Sequence, residues 1–322
     1  MIEGLVSTII PVYNRPKMLV SAVDTVIQQH YRPIEIIIVD DDRSSDSTLD
    51  VAYKLAKQYG FIKVKNIENA GAGTAHEHGR QIANGEFIQY LDSDDLLDAR
   101  KFSLQVNALQ ANPEAGACYC KTSIEITRPA KQIEAWQRTG EKIDSILPSM
   151  LATRWWGTST PLYRRIDCDA AVPWTALINE EDWEYAYRIA LIHNQLCRVN
   201  QTLSTERHHN APRSGNNGSS DPSKLASRAQ AHLTIVEHAL NAEFDHHTPE
   251  FEHLFVACFV LARQSARACL VEQSKSPLLA AQKNLSRDGK QQRKISIFRV
   301  CAKLFGWKTM GKLSAMLNRV HQ

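Results

Sequence analysis

Apolar residues in the first hundred positions fall into short runs of two alternating kinds. Residues 5–12 carry Val6, Ile9, Ile10 and Val12 in an almost continuous β-forming run closed by Pro11, which reads as a buried strand. Residues 17–29 instead repeat Leu19, Val20, Val23, Val26 and Ile27 at helical spacing. The alternation continues with a strand at 34–39 just after Pro33, a helix at about 47–59 capped by Ser45 or Asp46, and a strand at 61–67. A glycine-rich loop at 69–73, a helix at 74–84 and a strand at 87–91 follow. The second strand is apolar throughout except for Glu35, the mark of a sheet covered on both faces. Strand and helix in strict alternation with short loops predict an α/β fold with a mostly parallel sheet flanked by helices.

In such sheets ligands bind beyond the carboxyl ends of the strands. Three predicted strand ends carry polar clusters: Pro11 to Arg15, Asp40-Asp41-Asp42, and Asp92-Ser93-Asp94-Asp95. A parallel sheet places all three on one edge. The last cluster is the most telling, because an aromatic and aliphatic run ending in Tyr90-Leu91 passes straight into three carboxylates. Crowded carboxylates repel one another, and a hard cation such as Mg²⁺ or Mn²⁺ relieves the repulsion. A polar turn, with Asp94 or Asp95 capping a helix that opens at Leu96-Leu97, explains the same residues taken alone.

Beyond residue 100 the pattern gives a helix at 101–110, a strand at 116–127, an aromatic loop at 155–161, a helix from about 178 to 193 and a strand at 199–203. Residues 128–153 carry no clear pattern, and 207–223 read as a mobile loop or linker. After that the spacing is helical to the end. The segment 293–320 mixes Lys294, Lys303, Lys308 and Lys312 with Ile297, Phe298, Leu304 and Trp307. Such a segment lies on an anionic membrane surface or docks as an ordinary helix with a solvated basic face.

At this point the chain resembles the family 2 glycosyltransferases, inverting nucleotide-sugar enzymes of the GT-A fold. The resemblance rests on Val6-Ser7-Thr8-Ile9-Ile10-Pro11-Val12-Tyr13-Asn14-Arg15, Glu35 to Asp41, Asn69-Ala70-Gly71, and Gly85 to Asp95. Pro161 to Arg165 and Glu181-Asp182-Trp183 match the family's later segment. It implies a GT-A, Rossmann-like domain over 1–215, with a nucleotide-sugar half at 1–98 and an acceptor half at 99–215; the helical spacing beyond it reads as an α-helical C-terminal appendage over 223–322. It implies that Pro11, Tyr13, Arg15, Asp41, Asp92 and Ser93 meet the nucleotide-sugar, a UDP-sugar in the commonest case. Asp94, Asp92 and His209 are implied around a Mn²⁺ or Mg²⁺ ion. Asp182 is implied as catalytic base with Glu181 beside it. Trp183 would desolvate that base and Glu181 would repel its charge, both raising its pKa. Acids at a helix start also suit the helix dipole without any catalysis. Trp155 and Trp156 are candidates to stack on an acceptor sugar, one of them at most, or else form a core cluster.

Two departures stand out. His76-Glu77 follows Ala75 where the family usually shows Arg-Asn, so the arginine's role falls to His76 or Arg80, or is lost. Arg43 replaces a glycine in the turn after the second strand. A non-catalytic sugar-binding relative keeps the fold without turnover. A nucleotidyltransferase wants a basic glycine-rich loop where Tyr13-Asn14-Arg15-Pro16 stands.

A net charge of +3 in 322 residues gives bulk electrostatics no part in binding nucleic acid. Seven cysteines without finger or redox spacing read as reduced thiols. With no basic-then-apolar leader and no membrane-length apolar run, the expectation is a cytoplasmic protein, peripheral at the inner face of the membrane if 293–322 touches lipid. Donor and acceptor are the expected partners: a nucleotide-diphospho-sugar and a glycan or lipid-linked acceptor.

Overall fold

A computed structural model describes residues 1–41, 44–68, 71–127, 130–136, 138–171, 173–209, 221–242, 248–285 and 290–319. The chain divides into two compact units. The first comprises Met1–Leu147, Arg154–Ala176 and Tyr185–Ala211, and the second comprises Pro148–Thr153, Leu177–Glu184 and Pro212–Gln322. The segments 148–153 and 177–184, read from sequence as parts of the acceptor half, thus fall in the second unit.

The first unit alternates β1 (Ile2–Val12), α1 (Pro16–Ile27), β2 (Ile34–Asp41), α2 (Thr48–Gln58), β3 (Ile62–Ile67), α3 (Gly71–Ile82) and β4 (Gly85–Tyr90). It continues with β5 (Leu96–Leu97), α4 (Lys101–Ala111), β6 (Ala117–Thr127) and β7 (Ala130–Ile133). Past α5 (Ser149–Ala152), which belongs to the second unit, come β8 (Leu162–Arg164), α6 (Arg165–Ala170), α7 (Glu181–Ile192), whose first turn up to Glu184 belongs to the second unit, and β9 (Leu196–His208). Among the described residues one nine-stranded sheet runs β3-β2-β1-β4-β8-β6-β9-β5, with β7 on β6. The stretch β3-β2-β1-β4 is parallel, as the alternation predicts. Beyond β4 the sheet is mixed rather than mostly parallel: β8 is antiparallel to β4 and β6, β9 is parallel to β6, and β5 is antiparallel to β9. Leu96 and Leu97 are therefore extended and pair with Thr205 and Ser204 instead of opening a helix.

Strand alternation sends Val6, Ile10, Ile36 and Ile38 to one face, against Leu19, Val23, Val26, Ala52 and the α4 residues Phe102 and Val106. α3 packs on the other face of β1, β2 and β3. Glu35, the one charge in β2 ahead of its closing Asp40 and Asp41, is buried but bonded to Ser7 Oγ, the Asn84 amide and, at 2.8 Å, Lys63 Nζ. This satisfies the rule that buried charge needs partners. The N-cap of α2 is Ser47, one or two places after the expected Ser45 or Asp46, and its side chain makes no cap bond; Asp46, just before it, still accepts the Thr48 amide through Oδ1 at 2.9 Å.

The second unit holds α5 with α8 (Pro222–Asn241), α9 (Pro249–Arg267), α10 (Val271–Asn284), α11 (Lys290–Phe305) and α12 (Trp307–Arg319). α9 is its centre, burying Phe251, Leu254, Phe255, Cys258 and Phe259, with α5, α8, α10 and α12 packed on it. No helix among the described residues is long and apolar enough to cross a membrane. All seven cysteines are free thiols.

α3 lies on the sheet at a distance set by one missing side chain. A Cβ on Gly79 would come within 2.3 Å of Ile9 Cγ2, and a branched side chain in a strand cannot swing aside. Gly79→Ala is expected to lower the unfolding free energy by roughly 1–3 kcal/mol. The check is a reduced urea midpoint at unchanged m; a wild-type midpoint would mean that α3 can lift off β1 freely.

Candidate active site

The three polar strand ends do meet. Asn14, in the left-handed backbone conformation that asparagine tolerates (φ 49°), accepts from the Ser45 amide at 2.8 Å through its Oδ1. Its own amide donates to Ser44 Oγ at 3.1 Å, and Ser44 Oγ donates to Asp40 Oδ1 at 2.8 Å. The Arg15 amide donates to Thr48 Oγ1 at 3.0 Å, while its guanidinium reaches Asp94 Oδ2 at 2.8 Å. The ends of β1, β2 and β4 are thereby tied into one polar edge.

The return of the chain through β9 adds a fourth contribution. His209 Nε2 lies 2.9 Å from the same Asp94 Oδ2 that Arg15 holds. Arg207 donates through its amide to Asp95 Oδ1 at 3.3 Å and through Nε to the Asp94 carbonyl. Its Nη2 is buried and has no hydrogen-bond partner among the described residues. Ser159 Oγ donates to Asp95 Oδ2 at 2.7 Å and accepts from the Asp92 amide at 3.3 Å. Below this turn the fully buried Lys101 donates to the Thr160 carbonyl at 2.8 Å and to Gln105 Oε1 at 2.6 Å, its pKa drawn down by burial. Asp95 is pushed well above the ordinary carboxylate range, first by burial and then by the charges of Asp92, Asp94 and Glu206. The edge is thus an acidic cluster against which Arg15, Arg207 and His209 are set.

The other sequence-predicted residues are placed as follows. Pro11 is half-buried and Tyr13 is exposed near the end of β1, and Ser93 is buried in the acidic turn. Asp41 ends β2, but its side chain lies outside the described residues, as do Arg43, Asn69-Ala70 and most of the 207–223 loop. His76 does not take over the missing arginine's place. α3 turns it inward, where its ring meets Trp174 at 4.4 Å and Tyr90 at 5.0 Å, and burial pulls its pKa down to about 3. Arg80 is spent on Glu77 and Asp169, and Glu77 also accepts from the Trp174 amide, so the His76-Glu77 departure serves packing. Trp155 and Trp156 are 0% and 3% exposed; Arg138 covers the first ring at 3.9 Å and Tyr119 stacks on the second. The core alternative holds for both, because a buried ring has no face for a sugar.

Asp182 and Glu181 belong to the second unit, half-buried in the first turn of α7. Asp182 Oδ1 accepts from the Trp183 amide at 2.8 Å. Trp183 is buried, donating through Nε1 to the Met150 carbonyl at 2.8 Å and meeting the His232 ring edge-on at 4.8 Å. Just upstream, Glu180 sits in the left-handed region (φ 65°), unusual for glutamate. α8 holds it there: Arg228 Nε donates to Oε1 at 2.7 Å and His232 Nδ1 stands 3.2 Å from Oε2. Ser227 Oγ accepts from the Ile178 and Asn179 amides and donates to the Asn179 carbonyl.

The signals for Asp95, Ser159, Lys101, Arg207 and Glu180 were weak in sequence. Asp95 stands in the acidic cluster singled out above but without a role of its own, and Arg207 is two places from His209. Nothing local marks Ser159 or Lys101, whose partners are distant in the chain.

The family described as Glycosyl transferase family 2 matches residues 7–161. That segment is a family 2 glycosyltransferase domain. Glycosyltransferase GlyG of Streptococcus pneumoniae is 38% identical over 94 residues, 29% of this chain and 31% of that protein. The UDP-Glc:alpha-D-GlcNAc-diphosphoundecaprenol beta-1,3-glucosyltransferase WfaP of Escherichia coli is 39% identical over 106 residues, 33% of this chain and 41% of that protein. The matched stretches therefore span less than half of either relative. Among solved structures, residues 1–349 of TarS from S. aureus in complex with UDP-GlcNAc superpose with a TM-score of 0.70 at 15% identity, covering 98% of this chain and 91% of that one. The mannosyltransferase PcManGT of Pyrobaculum calidifontis, in complex with GDP-Man and Mn²⁺, gives a TM-score of 0.51 at 17% identity, covering 95% and 84%. These two likenesses show the fold. The family 2 domain carries the GT-A sheet expected from sequence, and a helical C-terminal region follows it.

Burial alone would raise the Glu180 carboxyl, but His232 and Arg228 outweigh it and hold its pKa below the ordinary 4.5. A carboxyl lowered on folding adds stability that is full above the unfolded value and lost as pH falls through the folded one. Glu180→Gln is expected to cost roughly 1.5–3 kcal/mol at neutral pH, the range for hydrogen bonds to charged groups. That gap should close below pH 4.5 in denaturant melts of wild type and variant run side by side.

Proposed function

We propose that this chain is an inverting, metal-dependent glycosyltransferase. It moves a sugar from a nucleotide-diphospho-sugar, a UDP-sugar, to a hydroxyl of a glycan or lipid-linked acceptor. The observation that carries the reading is the convergence on Asp94 of a cation from β1, Arg15, and an imidazole from the end of β9, His209. The named activities of GlyG and WfaP and the UDP-GlcNAc complex of TarS support it.

Among the described residues no group of three or more His, Cys, Asp or Glu can hold a metal ion unaided. An ion that shares its shell with a diphosphate needs only one or two protein ligands. Asp94 Oδ2 and His209 Nε2, 2.9 Å apart, fit that requirement, with Asp92 beside them. Mn²⁺ or Mg²⁺ bound there would supply positive charge to the leaving diphosphate. Arg207 Nη2, buried and without a partner among the described residues, is a preorganised donor for the same charge, as is Arg15. Pro11, Tyr13 and Asp41 line the base and ribose in this reading. Asp182 takes the proton from the acceptor hydroxyl as its oxygen bonds to the anomeric carbon and the carbon–phosphate oxygen bond breaks. Glu181 is its acidic neighbour. The chain acts at the cytoplasmic face of a membrane, where lipid-linked acceptors are found.

The test combines binding and turnover. UDP is expected to raise the melting temperature by mass action, more with Mn²⁺ or Mg²⁺ than without, and the metal-dependent part should vanish in Asp94→Ala. Asp182→Asn should keep that shift while turnover falls by about 10²–10⁴, the usual worth of a general base. A GDP or dTDP response in place of UDP would change the donor and leave the enzyme standing. No response to any nucleotide diphosphate would sink the reading.

A further inference from the structure

α11 is apolar on two sides. Its inner side buries Ile295, Phe298 and Ala302, with the Phe298 ring edge-on to Phe259 of α9 at 5.8 Å. Its outer side should be polar, as on any helix lying over a core. Instead Ile297, Val300 and Leu304, at i, i+3 and i+7, stand 64%, 56% and 71% exposed. Phe305 at the end of α11 is 65% exposed and Leu313 on α12 is 46% exposed.

Charge says what covers this stripe. From Lys290 to the end of the sequence there is no aspartate or glutamate, while Lys and Arg recur throughout. Lys294 and Lys303 are exposed on either flank of the stripe by the 100° step of the helix, and Arg293, Lys308 and Lys312 are exposed near its ends. A protein partner is a poor match, since lysine is depleted at protein interfaces. A second copy of the chain would set this unbroken positive segment against itself. An anionic bilayer suits both features: aliphatic side chains enter the boundary between headgroups and acyl chains while lysines meet the phosphates.

We propose that the outer face of α11, with the start of α12, docks on anionic membrane lipid and holds the chain there peripherally. The inference rests on this surface alone and stands whether or not the chain transfers a sugar.

The test is co-sedimentation of the full chain with vesicles of phosphatidylglycerol mixed with phosphatidylcholine, and with phosphatidylcholine alone. Binding is expected on the mixed vesicles, weaker on the neutral ones, and reduced by raised salt. The triple variant I297S/V300S/L304S should bind at least about tenfold more weakly, as expected when buried apolar area drives the contact. Its melting temperature and UDP response should be those of wild type, because the three side chains are exposed. K294E/K303E should lose the preference for phosphatidylglycerol. Wild type that stays in the supernatant, or a triple variant that sediments like wild type, overturns the proposal. So does a dimer in light scattering that the triple variant dissolves without any vesicle binding, which would assign the face to a second copy.

Discussion

Four carboxylates, those of Asp92, Asp94, Asp95 and Glu206, lie close together, and burial first and then the other three charges raise Asp95 well above its ordinary pKa. Everything at this edge depends on how that charge is balanced. Two like charges 4 Å apart at a protein surface cost about 4 kcal/mol. The balancing groups come from separate parts of the chain: Arg15 after β1, and Arg207 and His209 at the end of β9. Neither can be delivered unless β1 and β4 run parallel and β9 returns alongside β5. The charge balance and the sheet topology are therefore one constraint seen twice.

That constraint explains which parts of the fold could be read in advance. The β3-β2-β1-β4 half follows from alternating runs whose apolar residues are local in sequence, and its three polar ends meet because parallel strands share a carboxyl edge. The other half depends on long-range pairing. β8 has only three residues, β5 only two, and the register of Leu96 and Leu97 is set by Thr205 and Ser204 more than a hundred positions later. No local pattern encodes that. Asp94 and His209 are singled out in sequence by acids at a strand end and a histidine in a matched position, and the structure sets them 2.9 Å apart. For His76 and the paired tryptophans the sequence leaves ligand and core readings open, because polar or aromatic residues beside a motif look functional until burial is known. Lys101 was invisible, since a lysine bracing a carbonyl 59 residues away looks like any other lysine at a helix start.

The second unit shows a comparable economy. Glu180 holds a backbone conformation that glutamate avoids, and the energy for doing so comes from α8, through Arg228, His232 and Ser227. The start of α7 is thus set by a helix some fifty residues downstream. This gives a physical reason why the segment 177–184 clusters with the helices that follow it in the chain rather than with its sequence neighbours.

The aromatic cluster around Trp174 has an optical consequence. Trp174 lies stacked on Tyr185 at 4.1 Å and beside His76, with Tyr90 edge-on at 4.8 Å. A protonated imidazole quenches indole emission, but burial keeps His76 neutral down to about pH 3. Indole fluorescence from Trp174 therefore stays silent to acidification through the physiological range and reports the integrity of the first unit instead. The rigid tyrosine and tryptophan couplings around it should give that unit a near-ultraviolet circular dichroism signature of its own.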